Sequence, residues 1–168
     1  MTFRQAVITC FQKYFTFSGR ASRSEYWWFF LFTALGGFVA GFLEGFINAA
    51  SGTPGGPTLL SGAFNLATFI PGLAVGWRRM HDSGRSGLYL LYPMIAIVGL
   101  SLFIGMFGGA EVLNGSDPSA LFEGAFGIVV ILALIVVAIS PFLVLFWLTR
   151  PSQPGANQYG PNPHEVSP

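Results

Sequence analysis

Charge is the scarcest property of this 168-residue chain. Only 9% of its residues are Asp, Glu, Lys or Arg, against roughly 25% in a typical globular protein. Eight cations and seven acids cannot solvate the surface of a globule whose composition is 52% apolar, so lipid has to do part of that work. A net charge of +1 leaves no basic face for nucleic acid, which would need many more cations. The single cysteine, Cys10, excludes an intrachain disulfide and gives no sign of an oxidising compartment. Phosphate-binding glycine loops, P-loops and zinc-ligand spacings are all missing. A cleavable signal peptide is not expected. Its apolar region would span about 7–15 residues close to the start, whereas the first long run here begins near Tyr26 and passes Phe42.

What the chain does have is four apolar windows near the roughly 20 residues a helix needs to cross the hydrocarbon. They cover about 27–47, 57–76, 88–107 and 125–148. The first is interrupted only by Glu44, and the second is the most polar, with Ser61, Asn65 and Thr68. The last two carry no charge. Pro71, Pro93 and Pro141 fall one in each of the last three windows, which transmembrane bundles accept because neighbouring groups satisfy the freed carbonyls. The expected fold is therefore an all-α membrane protein with four transmembrane helices.

The charges agree with that count. Arg4, Lys13, Arg20 and Arg23 precede the first window, Arg78, Arg79 and Arg85 lie between the second and third, and Arg150 follows the fourth. The other two connectors have no Lys or Arg, and the later one holds Glu111, Asp117 and Glu123. All eight cations thus share one side, which the positive-inside rule makes cytoplasmic, with both termini inside. Ahead of the spans, Phe3, Val7, Phe11, Tyr14 and Phe15 recur at helical spacing. This predicts a short amphipathic helix within 1–18, lying in the interface or packed against the bundle. Residues 151–168 form a proline-rich cytoplasmic tail, expected to be extended and poorly ordered unless something binds it.

The stretch GRASRSEYWWFF, residues 19–30, has a local cause. Ser22 and Glu25 are spaced as a capping box, with the carboxylate reaching back to the Ser22 amide, and Trp27 and Trp28 then fall at headgroup depth. Alternatively, Glu25 pairs with an arginine of the loop WRRMHDSGRSG, residues 77–87. There, Gly84 supplies a left-handed stop and Ser83 or Ser86 a cap for the third span. The chain then shows three motifs in order. The first holds Phe17, Gly19, Arg20, Arg23, Glu25, Trp27 and Trp28. The second holds Arg78, Arg79, His81, Asp82, Gly84, Ser86 and Gly87. The third holds Asn157, Tyr159, Gly160, Pro161 and Pro163. Together they resemble the bacterial inner-membrane family catalogued as domain of unknown function 805, over roughly residues 10–163. Met80 and Leu88 depart from that family's usual Leu and Trp. The resemblance implies a multi-span inner-membrane protein with no established activity or cofactor.

The chemistry converges on one candidate surface. Arg20, Arg23, Arg78, Arg79 and Arg85, with Glu25, His81 and Asp82, offer five guanidiniums to few acids. Guanidinium binds phosphate in a planar two-point geometry. The expected role is a binding or membrane-organising protein that engages anionic lipid headgroups or an acidic partner. Catalysis and cofactors are not expected. His81, Asp82 and Ser83 are adjacent and diverge by about 100° per residue on a helix, and one His with scattered acids is too few for a metal. The alternative is an oligomeric transporter or channel using Glu44 and Asn65. Small residues at every fourth position, Thr33, Gly37, Gly41, Gly45 and Ala49, predict close packing of the first span on another span, on a second copy or on another membrane protein.

Overall fold

The computed structural model describes residues 1–108 and 118–165. Glu111 and Asp117 of the arginine-free connector therefore lie outside the described residues. The chain divides into two compact units, Met1–Gly87 with Pro151–Pro168, and Leu88–Arg150. Among the described residues every regular element is helical.

The first unit contains α1 (Phe3–Gln12), α2 (Arg23–Ala50) and α3 (Leu59–Asp82). A capping box that sequence reasoning missed starts α1. The Gln5 amide donates to Thr2 Oγ1, and the Thr2 amide donates to Gln5 Oε1 at 2.9 Å. The buried stripe of α1 is Ala6 and Cys10, both without exposure, and small residues there let α1 press onto its neighbours. Phe3 meets Trp28 edge-on at 5.8 Å, and Phe11 meets Phe29 and Phe32 at 5.7 and 6.0 Å. Tyr14 and Phe15 lie beyond the helix, after its C-cap at Lys13.

At about 1.5 Å per residue, the 28 residues of α2 reach about 42 Å, longer than the roughly 30 Å hydrocarbon. The helix returns as α3 in an antiparallel hairpin, because Glu25 near its start bonds Arg78 at the end of α3, and Glu44 near its end bonds Leu60 and Ser61 at the start of α3. Close approach is made at Gly36, where a Cβ would overlap the Phe64 ring. A Cβ at Gly37 would lie 3.6 Å from Asn65 Oδ1, and one at Gly41 or Gly45 would meet nothing within 4 Å. The facing stripe is Gly36, Ala40 and Glu44, the last two buried, and Gly37, Gly41 and Gly45 lie about 100° further around the helix.

Both prolines inside helices leave a carbonyl without its amide, and a hydroxyl supplies the missing donor each time. Pro71 in α3 cannot bond the Ala67 carbonyl four residues back, and Tyr14 Oη donates to that oxygen at 3.0 Å. Pro141 frees the Val137 carbonyl, which accepts from Ser140 Oγ at 3.0 Å.

The second unit holds α4 (Tyr92–Phe107) and α5 (Gly124–Thr149), with 3-10 turns at Gly87–Leu91 and Pro118–Phe122. Pro93 sits in the first turn of α4, where its missing N–H breaks nothing. That helix begins out of a 3-10 turn, with Leu91 at the N-cap and no side-chain cap there. Ser83 instead donates to Met80 O at the end of α3. An antiparallel pairing of α4 and α5 is fixed by Phe103 stacked on Phe126 and Tyr89 edge-on to Trp147, each at 5.2 Å. The four long helices are apolar enough to cross a membrane.

Candidate functional site

The two ends of the α2–α3 hairpin differ in chemistry. At one end the Glu44 carboxylate accepts from the amides of Leu60 (2.8 Å) and Ser61 (3.2 Å) and from Ser61 Oγ (2.5 Å). These are amides of the first turn of α3, which a helix leaves without internal partners. The N-cap residue Thr58 makes no side-chain bond, so α2 supplies the cap and an anion suited to the positive end of the α3 dipole. The acid that looked like an intramembrane transport residue has a structural task.

At the other end, all three motifs meet. Asp82 is fully buried and accepts from Arg20 Nε at 2.9 Å, from Arg79 Nη1 and from Ser152 Oγ at 2.6 Å. Glu25 takes Arg78 Nη1 at 2.6 Å. The capping box at α2 is therefore only half formed. Ser22 Oγ accepts from the Glu25 amide at 3.2 Å, while the carboxylate goes across to α3 rather than back to Ser22, because a buried guanidinium needs it more than a single amide does. Main-chain bonds lock the segments together, Ala21 N donating to Arg78 O at 3.1 Å and Gln153 N to Asp82 O at 2.9 Å.

Residues 151–165 fold back onto Arg20 and His81, so the condition set by the sequence expectation, that something binds the tail, is met by the protein itself. Arg20 Nη2 donates to Gln153 O at 2.6 Å, and its Nη1 to Gly155 O at 2.7 Å and Gly160 O at 3.4 Å. Asn157 Nδ2 donates to His81 O at 3.0 Å. The Tyr159 ring stacks on His81 with 3.8 Å between centroids and 2° between planes. His81 Nδ1 lies 3.1 Å from Gly19 O, and because a carbonyl only accepts, that nitrogen carries the proton. Gly84, at φ +76°, ends α3 where a Cβ would fall 2.6 Å from Gln153 Oε1. Gly87 packs under Trp77, whose ring leaves no room for a Cβ, and Phe17 meets that ring edge-on at 5.8 Å.

The candidate residues thus separate into two groups. Arg20, Glu25, Arg78, Arg79, His81 and Asp82 are buried together. Arg23 is exposed in the first turn of α2, and Arg85 is half-buried with Nη1 donating to Ser83 O. Beneath the network lies a small core of Cys10, Ala21, Phe29 and Val75. Burial and the nearby Glu25 push the Cys10 thiol up to about 12, and the neighbouring Arg78 opposes them, so Cys10 stays neutral and packs as a small apolar group. Arg78 Nε and Nη2 have no hydrogen-bond partner. Among the described residues no three His, Cys, Asp or Glu side chains converge as a metal site would require. Ser152 and Gln153, which the motifs did not flag, bond Asp82 and Arg20 in the cluster.

Four membrane-length helices, with one hairpin closed by buried arginine–carboxylate pairs and a folded-back tail, define a multi-pass membrane protein whose signature residues serve its own interior. The chain belongs to the family described as Protein of unknown function (DUF805), which matches residues 14–161. It is similar to the inner membrane protein YhaI of Escherichia coli (strain K12), with 33% identity over 118 residues, 68% of this chain and 95% of that one. It is also similar to the inner membrane protein YhaH of the same organism, with 34% identity over 93 residues, 55% of this chain and 75% of that one. No solved structure matches. The protein is an integral, multi-pass inner-membrane protein.

Proposed function

We propose that the protein is a non-catalytic binding or membrane-organising protein whose exposed cations engage anionic lipid headgroups. Its motif cluster and both termini lie on the cytoplasmic side in this reading, as the positive-inside rule requires. The observation that carries it is the separation of the cations by burial. Arg20, Arg78 and Arg79 are sequestered with carboxylates, whereas Arg4, Lys13 and Arg23 are exposed. On α1 and just beyond it, Ile8, Phe11 and Phe15 are exposed as well, a mixture of cations and large apolar groups that suits the headgroup boundary. The buried network ties the start of α2 to the end of α3, and α1 packs on α2 through Phe3 and Phe11. The transport alternative loses its main residue, since Glu44 is engaged in capping α3.

Each cation near an anionic surface contributes about 1 kcal/mol. The triple variant Arg4→Gln, Lys13→Gln, Arg23→Gln should therefore lose on the order of 100-fold in its preference for phosphatidylglycerol or cardiolipin over phosphatidylcholine. Native mass spectrometry of the purified protein after lipid exchange reads this preference directly. Retention of anionic lipid equal to wild type would refute the proposal.

A further inference from the structure

The tail surrounds one buried cation with oxygens that a ligand could replace. Arg20 shares the Asp82 carboxylate with Arg79, while Glu25 takes Arg78, so Arg20 meets only part of one anion. The two terminal nitrogens of Arg20 are answered by the carbonyls of Gln153, Gly155 and Gly160, together with Asp82 O at 3.5 Å. Neutral oxygens set around the fork of a guanidinium occupy the positions that two oxygens of a phosphate would take. An oxyanion there would add the charge that carbonyls lack.

The strap is also built to come away. Of residues 151–165 only Asn162 is buried, and attachment rests on hydrogen bonds, the Ser152–Asp82 contact and the Tyr159–His81 stack, not on an apolar core. Segments with little buried apolar surface open at low free energy. Gly155 and Gly160, with φ of 66° and 131°, let it double back without strain. Its own acid, Glu165, accepts from Gly155 N and Asn162 Nδ2 within the strap, so a negative charge departs with it.

We propose that residues 151–165 form a displaceable strap over an oxyanion site centred on Arg20, and that a phosphate group replaces the strap's carbonyls when it opens. The phosphate belongs either to a soluble ion or ester or to a lipid headgroup. The site differs from the exposed cations of the headgroup proposal, and each can fail without the other.

The test uses the full chain in nanodiscs, with hydrogen–deuterium exchange of the strap amides as readout. In phosphatidylcholine discs, inorganic phosphate is titrated against chloride at equal ionic strength. A second arm uses phosphatidylglycerol discs without phosphate. Strap exchange should rise with phosphate but not with chloride, which assigns a soluble ligand; a rise only in phosphatidylglycerol assigns the headgroup. Tyr159→Ala loosens the strap without touching Arg20 and should lower the concentration of the effective phosphate source needed for opening by roughly 3- to 10-fold. Arg20→Lys, which loses the fork, should abolish the response while α3 amides stay protected. The variant changed at Arg4, Lys13 and Arg23 should keep the response to inorganic phosphate. Strap exchange indifferent to both sources in wild type and Tyr159→Ala, or equally raised by chloride, would overturn the proposal.

Discussion

Asp82→Asn is the sharpest perturbation the structure offers. The side chain keeps its shape, but the fully buried carboxylate that joins Arg20, Arg79 and Ser152 becomes a neutral amide. Arg20 and Arg79 would then lose the carboxylate they share. Removing one partner of a buried ion pair costs about 3–5 kcal/mol, because the remaining charge stays buried without compensation. The new amide also presents two donors toward donors, so at least one acceptor of Arg20 or Arg79 is lost outright. For a chain of this length about 2–4 °C of melting temperature accompanies each kcal/mol, giving a drop of roughly 6–20 °C. Intrinsic fluorescence is a suitable probe in detergent, because Trp77 lies in α3 five residues before Asp82. The double variant Arg20→Gln, Asp82→Asn separates charge from shape. If uncompensated charge is the cause, the pair should be more stable than the sum of the two single changes, by roughly 1–3 kcal/mol. A melting temperature within about 2 °C of wild type in Asp82→Asn would refute the account, since it would mean that the cluster is solvated in the membrane.

Single contacts give further expectations. Tyr14→Phe leaves the Ala67 carbonyl without its hydroxyl donor and should cost about 1–3 kcal/mol by thermal melting; an unchanged melt would show that another donor replaces it. Glu44→Gln weakens the cap of α3, so exchange of the Leu60 and Ser61 amides should accelerate several-fold while the end of α3 at Arg78 is unaffected. Gly36→Ala places a methyl against the Phe64 ring and should destabilise the hairpin by about 1–3 kcal/mol. Gly41→Leu enters open space and should leave the monomer's melt unchanged, so loss of a detergent-stable dimer in that variant would identify a seam between copies.

The membrane helices were legible because lipid selects on composition. A window of about 20 uncharged residues suits little besides a span, whereas the helix ends follow the polar groups too, α3 continuing past Gly76 to Asp82. Of the motif residues, Arg20, Glu25, Arg78, Arg79, His81, Asp82 and Tyr159 converge in the structure, while Arg23 and Arg85 stay outside the cluster. Their partners were not legible. Nothing in the sequence tells whether a guanidinium faces a phosphate or a carbonyl 133 residues further on, as Arg20 faces Gln153. Carbonyls are present at every residue and leave no mark in a sequence pattern. What would bind the proline-rich tail was hidden for the same reason. Low apolar content argues for disorder only when the segment must bury its own core, and this one is held by donors supplied from elsewhere. Tyr14 and Ser140 answer freed carbonyls at Pro71 and Pro141. Ser140, next to its proline, was readable; Tyr14, 53 residues from Ala67, was not.

That three motifs so far apart occur together has a physical cause in the needs of one guanidinium. Arginine carries five N–H donors and cannot shed its charge, so burying it demands several acceptors at once and at least one anion. A single helix end supplies few of these. Arg20 obtains its anion from the end of α3 and its remaining acceptors from the tail, which obliges the chain to bring its second residue-rich loop and its C-terminal segment to the same place. Arg78 is the contrasting case: given Glu25 and no tail, it keeps Nε and Nη2 unanswered. The fold thus ties its tail to a buried cation as well as to Asp82 and His81, so the strap is set by the acceptors that Arg20 requires together with the contacts made at the end of α3.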